Sequence, residues 1–372
     1  MSRAGRTLPA MAAAAAVVAV AAAAVLAMAD SGPTRPPSGG VGASVAVDRF
    51  FERYVASDGR VVRHDEGGDT VSEGQAYAML MAVASGDRAR FDRVWGWTRE
   101  NLQREDGLLS YLWRDGRVAD PEAAADADLD AAHALILAGR RFGDRSLRRD
   151  GLEIASAILS KETVRRHGRR VLVAGPWARS GTPWINPSYF SPRAFAVLGR
   201  ASGHRGWAEL RGSSFALTRE LTATGPGLAP DWARLGPPGR SRPSSSPGGR
   251  SRSARFGYDA VRVPLRSAWA CSARERNLAA RPWDFLHGQA GGGIGPEYGL
   301  GGKRLAQGTH PAAMVAGAAA ARAAGERGAA GRLLDRAADE EYRSSTYYGA
   351  ALVALGRLTL ETRSLNAGCG SR

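Results

Sequence analysis

The chain has 372 residues, 44% of them hydrophobic and 23% charged, a globular balance that excludes long-range disorder and fits one large domain or two average ones. Two cysteines, Cys271 and Cys369, exclude a disulfide-stapled scaffold and a Cys-rich zinc module. The formal net charge of +15 comes mainly from arginine spread along the whole chain, with no aromatic-interleaved basic patch, so no nucleic-acid partner is expected. Such a surface equally suits an anionic cell envelope.

At the N-terminus, Arg3 and Arg6 precede an apolar run from Leu8 to Ala29 that closes with Ala27-Met28-Ala29, a small-x-small cleavage pattern. Residues 1–29 are read as a signal peptide or, because the run is about long enough to span a bilayer, as a retained membrane anchor. Either way the remainder is expected outside the cytoplasm, secreted or at the cell surface, meeting a membrane only through that segment. Residues 30–46 have the Pro, Gly and Ser of a linker. Residues 47–365 follow as one domain, with 366–372 as a tail.

Apolar spacing predicts helices near 48–57, 72–85, 87–103, 128–141, 146–160, 192–202, 206–220, 259–272, 311–324, 328–341 and 345–360. The best strand signal is Arg170-Val171-Leu172-Val173. About a dozen helices without βαβ alternation make an all-α array, either an open solenoid of helical hairpins or a closed toroid. The lack of a fixed-length repeat argues against a regular solenoid. Segment 236–255, rich in Arg, Ser, Pro and Gly, is expected to be a flexible surface loop inside the domain.

Familiar motifs fail. There is no Gly-x-Ser-x-Gly elbow, no His-Glu-x-x-His, and no Gly-x-Gly-x-x-Gly after a strand. Gly302-Lys303 lacks the Ser/Thr and first Gly of a phosphate loop. Asp126-x-Asp128-x-Asp130 lacks the Gly and closing Glu of a calcium loop. No metal or organic cofactor is implied.

Three acidic sites remain. In Thr70-Val71-Ser72-Glu73-Gly74-Gln75, Thr70 with Glu73 or Ser72 with Gln75 reads as a capping box. For Glu73 to donate a proton instead, burial or a neighbouring carboxylate must outweigh a helix N-terminus that favours its ionised form. Ala125-Asp126-Ala127-Asp128-Leu129-Asp130 reads as a capped helix start, although three acids in five residues repel one another. In Phe256-Gly257-Tyr258-Asp259-Ala260-Val261-Arg262, Asp259 and Arg262 have the spacing of a helical ion pair. The aromatic lead suggests a carboxylate beside a sugar-stacking surface.

These three motifs occur in order with Asn186-Pro187-Ser188-Tyr189-Phe190 and Pro230-Asp231-Trp232, and together they resemble glycoside hydrolase family 8 over roughly residues 47–360. The resemblance implies an (α/α)6 barrel with a cleft across one end and inverting hydrolysis of β-1,4 bonds in a glucan. It implies Glu73 as general acid, Asp259 as the base that activates water, and Asp126 as the residue that holds and distorts the sugar. Tyr189 and Tyr258 would lie near that sugar, and Arg262 would orient Asp259. Trp113, Trp184 and Trp232 are candidates for stacking on glucose rings, because aromatic faces suit the apolar faces of β-glucose.

Departures from the family's pattern are Ala125 where Ser or Thr is usual, Ala76 and Ala78 in place of glycines, and His133 where Tyr or Trp is frequent. His133 is expected to be a helix packing residue. Xylan, chitosan and mixed-linkage glucan stay open as substrates, the basic surface weighing against polycationic chitosan. A non-catalytic glycan-binding protein and an α-helical interaction scaffold are the further alternatives, both disfavoured by retention of Glu73, Asp126 and Asp259. Pairing of Cys271 with Cys369 stays open, and a monomer is expected.

Overall fold

The computed structural model describes residues 42–248 and 253–365. The expected signal or anchor, most of the linker, the tail and Cys369 lie outside the described residues. The helices in chain order are α1 (Ala43–Tyr54), α2 (Ser72–Ser85), α3 (Arg88–Asn101), α4 (Ala125–Arg141), α5 (Arg145–Lys161), α6 (Pro192–Ser202), α7 (Gly206–Leu221), α8 (Arg262–Ala268), α9 (Ala273–Ala279), α10 (Trp283–Gln289), α11 (Pro311–Ala323), α12 (Arg327–Arg343) and α13 (Tyr347–Leu360).

Packing sorts them into two rings. Helices α2, α4, α6, α8, α11 and α13 each touch the next, and α13 returns to α2 to close an inner ring. Helices α1, α3, α5, α7, α9 and α12 pack outside it, each against an inner neighbour, which makes an (α/α)6 barrel. Side-chain size and polarity dictate the sorting. Inner α2, α11 and α13 are rich in Ala and buried on almost every side, so their backbones can approach closely. Outer α12 buries only Ala330, Leu333, Leu334, Ala337, Ala338 and Glu341, the single stripe of an amphipathic helix. Because the chain alternates between the rings, the inner helices run parallel and all begin at the same end of the barrel.

Among the described residues, ten short strands decorate that end and the connections: β1 (Thr70–Val71), β2 (Leu112–Arg114), β3 (Arg117–Asp120), β4 (Thr163–Arg166), β5 (Arg169–Leu172), β6 (Trp184–Ile185), β7 (Trp232–Arg234), β8 (Arg242–Ser244), β9 (Arg255–Phe256) and β10 (Tyr298–Gly299). They form antiparallel sheets β1-β2-β3, β4-β5, β6-β7-β8 and β9-β10.

Several sequence boundaries need correction. The expected linker ends earlier, because Ala46 and Val47 share a buried face with Phe50 and Phe51 and draw α1 back to Ala43. Helix α4 begins at Ala125, not 128, so all three of its acids are helical. Helices α9 and α10 were not foreseen; at seven residues each they are too short to show a clear period. The 236–255 segment, expected as a loose loop, supplies β8, which pairs Arg242–Ser244 with β7, and supplies β9 at its end.

Candidate active site

At the end where the inner helices begin lies an open groove of about 980 Å³. Its wall takes residues from the start of α2, α4, α8, α11 and α13 and from the turn that precedes α6. The partial positive charge of those helix ends favours acidic groups there.

Glu73 is the second residue of α2, and the capping box expected around it does not form. The residue before the helix is Val71, with no side-chain cap. Thr70 donates from Oγ1 to the Val61 carbonyl at 2.7 Å. The Gln75 side chain accepts from the Val61 N–H at 2.5 Å and donates to Thr98 Oγ1 at 2.8 Å, tying α2 to α3. Glu73 is thereby left to face the groove, where its Oε2 accepts from Arg262.

Arg262, 3% exposed, does more than orient Asp259. Its Nη1 reaches Glu73, Asp126 Oδ2 at 2.7 Å and the Tyr77 hydroxyl at 3.1 Å, while Nη2 donates to Asp259 Oδ1 at 2.6 Å. One guanidinium thus gathers three carboxylates from α2, α4 and the turn before α8. A single positive charge cannot match three negative ones, so the cluster favours holding a proton. Burial raises the Glu73 carboxyl, Arg262 pulls it back, Asp126 and Asp259 raise it again, and it rests at about 7. Asp259 is also raised, by burial first and by Asp126, against the pull of Arg262. The burial that a proton-donating Glu73 requires is therefore in place.

The Asp126-Asp128-Asp130 run was read as capping, and the structure sends each acid elsewhere. Asp126 Oδ1 accepts the adjacent Ala127 N–H at 3.0 Å, leaving Oδ2 for Arg262. One turn on, Asp130 makes a bidentate pair with Arg266 at 2.8 and 2.7 Å, so α4 and α8 are joined by two rungs with the same i, i+4 spacing on each helix. His133, fully buried 5.3 Å from the Trp269 ring, is pushed down to about 3 by burial and stays neutral; it is a packing residue.

Asp128 turns into the protein. Its Oδ1 accepts the Leu109 N–H at 2.7 Å, and it faces Glu162 at the end of α5. Among the described residues no donor reaches Asp128 Oδ2 or either Glu162 oxygen, and a proton held between the two carboxyls supplies one. Burial raises both well above the usual carboxylate range. The folded chain therefore keeps a proton that the unfolded chain releases above about pH 4. Folding stability should fall as pH rises through neutrality, by up to about 1.4 kcal/mol per pH unit. Glu162→Gln should flatten that slope and raise the unfolding temperature at pH 8. Thermal unfolding between pH 5 and 9 checks this, and an unchanged slope refutes the shared proton.

Of the aromatic candidates, Tyr189, Tyr258, Trp184 and Trp232 line the groove. The Trp232 ring lies 6.0 Å from Tyr189, 6.4 Å from Trp184 and 6.3 Å from Trp177, forming one aromatic wall. The Tyr189 ring also faces the Arg262 guanidinium at 5.4 Å. Trp113 does not belong to the wall. It sits on β2 with the Arg60 guanidinium 4.1 Å over its ring and Trp97 edge-on at 5.5 Å.

Sequence reasoning missed Trp177, Tyr111, Tyr347, Tyr348 and the wall position of Asp231. Thr346 caps α13, which made Tyr347-Tyr348 a findable aromatic pair at a helix start. The Tyr348 hydroxyl donates to the Tyr258 carbonyl at 2.6 Å and so supports the Asp259 turn. The 236–255 segment contributes Ser244, Ser245, Ser246, Pro247, Gly248 and Ser253 to the wall.

A closed ring of helical hairpins that sets three carboxylates in an aromatic-walled groove defines an (α/α)6-barrel protein with a cleft suited to a polymer. The family model for glycosyl hydrolases family 8 matches residues 13–362, and the chain belongs to that family. It resembles the structure of the endoglucanase Cel10 of Klebsiella pneumoniae, with a TM-score of 0.71 and 26% identity over 85% of this chain and 98% of that one. The endo-β-1,4-glucanase CMCax of Acetobacter xylinum gives a TM-score of 0.72 and 26% identity over 86% and 98%. An endoglucanase of Cellulomonas uda is 31% identical over 234 residues, which are 61% of this chain and 64% of that protein. The chain spans between about half and two thirds of the length of the curated relatives it matches first.

Proposed function

We propose that the protein is an endo-β-1,4-glucanase that hydrolyses a cellulose-type glucan with inversion. The carrying observation is that Arg262 gathers Glu73, Asp126 and Asp259 in an open groove while Glu73 rests at about 7. The endoglucanase relatives support the same reading. Glu73, protonated, delivers its proton to the glycosidic oxygen as the bond breaks. Asp259, ionised, removes a proton from the water that attacks the anomeric carbon from the opposite face. Asp126, pinned between Ala127 and Arg262, grips the sugar at the cleavage point and holds it distorted. Trp184, Trp232 and Trp177 carry neighbouring rings by stacking. No step requires a cofactor. The N-terminal pattern supports a reading of the enzyme as exported and acting on a polymeric glucan outside the cytoplasm.

Product stereochemistry provides the test. NMR of fresh digests of a soluble β-1,4-glucan should show the α-anomer first, and Asp259→Asn should abolish turnover. A β-anomer first, or full activity in Asp259→Asn, rejects the assignment.

The groove's own charge favours a second substrate class. Although the chain is strongly basic, the described residues of the wall include ten carboxylates against four arginines. Overall charge thus misleads about the cleft, and a cationic glycan such as chitosan is electrostatically matched to it. Chitosan hydrolysis that weakens with added salt, measured beside the neutral glucan, would establish this reading, and lack of turnover on chitosan would remove it.

A further inference from the structure

Asp231, just before β7, is a groove-wall acid to which the proposed mechanism gives no part. Its backbone N–H donates to the Arg255 carbonyl at 2.8 Å, which holds the start of β7 beside β9. Its side chain then reaches the segment that carries Asp259. Oδ1 accepts the Gly257 N–H at 2.9 Å and the Ala260 N–H at 2.8 Å, the amides on either side of Tyr258-Asp259. Oδ2 fills the space where residue 257 would carry a side chain: a Cβ there would lie 2.7 Å from it. Gly257 is therefore glycine for close approach. The Pro230-Asp231-Trp232 and Phe256-Gly257-Tyr258-Asp259 motifs are two halves of one clasp.

We propose that Asp231 is the positioning residue of the base: its carboxyl clasps the turn at residues 257–260 from behind and fixes where Asp259 stands relative to the attacking water. This rests on the reading of Asp259 as base. Two backbone amides bonded to one carboxyl oxygen leave that turn little freedom, and the Tyr348 hydroxyl on the Tyr258 carbonyl braces it from the α13 side. The clasp needs an acceptor oxygen rather than a charge. Burial and the nearby Asp259 push Asp231 up to about 8, so its neutral form is accessible and an amide can stand in for it.

Four variants of the full chain test the clasp, assayed on hydroxyethyl-cellulose with unfolding temperatures recorded. Asp231→Asn keeps the acceptor and should hold kcat within about fivefold of wild type, whereas Asp231→Ala should lower kcat about 100-fold with KM little changed. Gly257→Ala should lower kcat similarly, because its Cβ displaces Oδ2. In the Asp231→Ala background, Gly257→Ala should add almost nothing, since the oxygen it would strike is gone. An Asp231→Ala enzyme with wild-type kcat, an Asn variant as impaired as the Ala variant, or losses that multiply in the double variant would overturn the proposal. Amide hydrogen exchange separates this from the activity itself. If the wild type cuts no glucan, the proposed function fails, yet Gly257 and Ala260 should still exchange faster in Asp231→Ala; unchanged protection overturns the clasp.

Discussion

Arg262→Met is expected to abolish turnover and to destabilise the fold by about 3–5 kcal/mol at neutral pH, the usual result of leaving buried charge without its partner. Glu73, Asp126 and Asp259 all bond to this guanidinium, and Tyr77 joins them. Methionine fills much of the volume, so the loss is electrostatic rather than a cavity. Without the guanidinium the already raised Glu73 and Asp259 carboxyls rise further, each protonated more readily in the folded state than in the unfolded one. The deficit should therefore shrink as pH falls from 8 to 5 and grow as it rises. Arg262→Lys should rescue little, because one ammonium cannot occupy both Nη positions, 2.7 Å from Asp126 and 2.6 Å from Asp259. Thermal unfolding at both pH values checks the sign. A stable, active Arg262→Met would remove the hub from the mechanism.

Glu73→Gln should lower kcat by about 10²- to 10⁴-fold on a natural glucan, the contribution of a positioned general acid, while KM and unfolding temperature stay near wild type. A glycoside with an activated aryl leaving group needs no proton and should lose much less. Glu73 at about 7 must be protonated to act, so wild-type kcat should be retained below pH 7 and fall above it. The raised Asp259 must be ionised, which sets the fall on the acid side. The coupled cluster determines both limits, and the alkaline fall should vanish in Glu73→Gln. Equal rates in variant and wild type would refute the assignment of the acid.

The sequence carried the all-α class and most helix positions because their apolar spacing is local. It also carried the three acids, because their motifs are local and ordered. It did not carry their partners. Thr70, Ser72, Glu73 and Gln75 have the spacing of a capping box whatever lies around them; Val61 and Thr98 claim Thr70 and Gln75, and Arg262, 189 residues away, claims Glu73. Likewise Asp126, Asp128 and Asp130 look equivalent in the chain. Helical rotation sends them to Arg262, to Leu109 and Glu162, and to Arg266. Trp113 and Trp232 could not be told apart by type; a short strand beside Arg60 claims the first and the groove the second. The 236–255 composition matched a loose loop, and the edge of β7 gave part of it a pairing partner.

The inner ring closes where its last helix, α13, meets its first, α2. There the Tyr347 hydroxyl lies so near Gly74 that a Cβ on residue 74 would stand 2.8 Å from it, and the Tyr347 N–H reaches back to Asp65. The wall beside Glu73 is thus built from both extremes of the barrel's sequence. A growing polypeptide that has not yet released α13 has no finished groove, however many earlier hairpins have assembled.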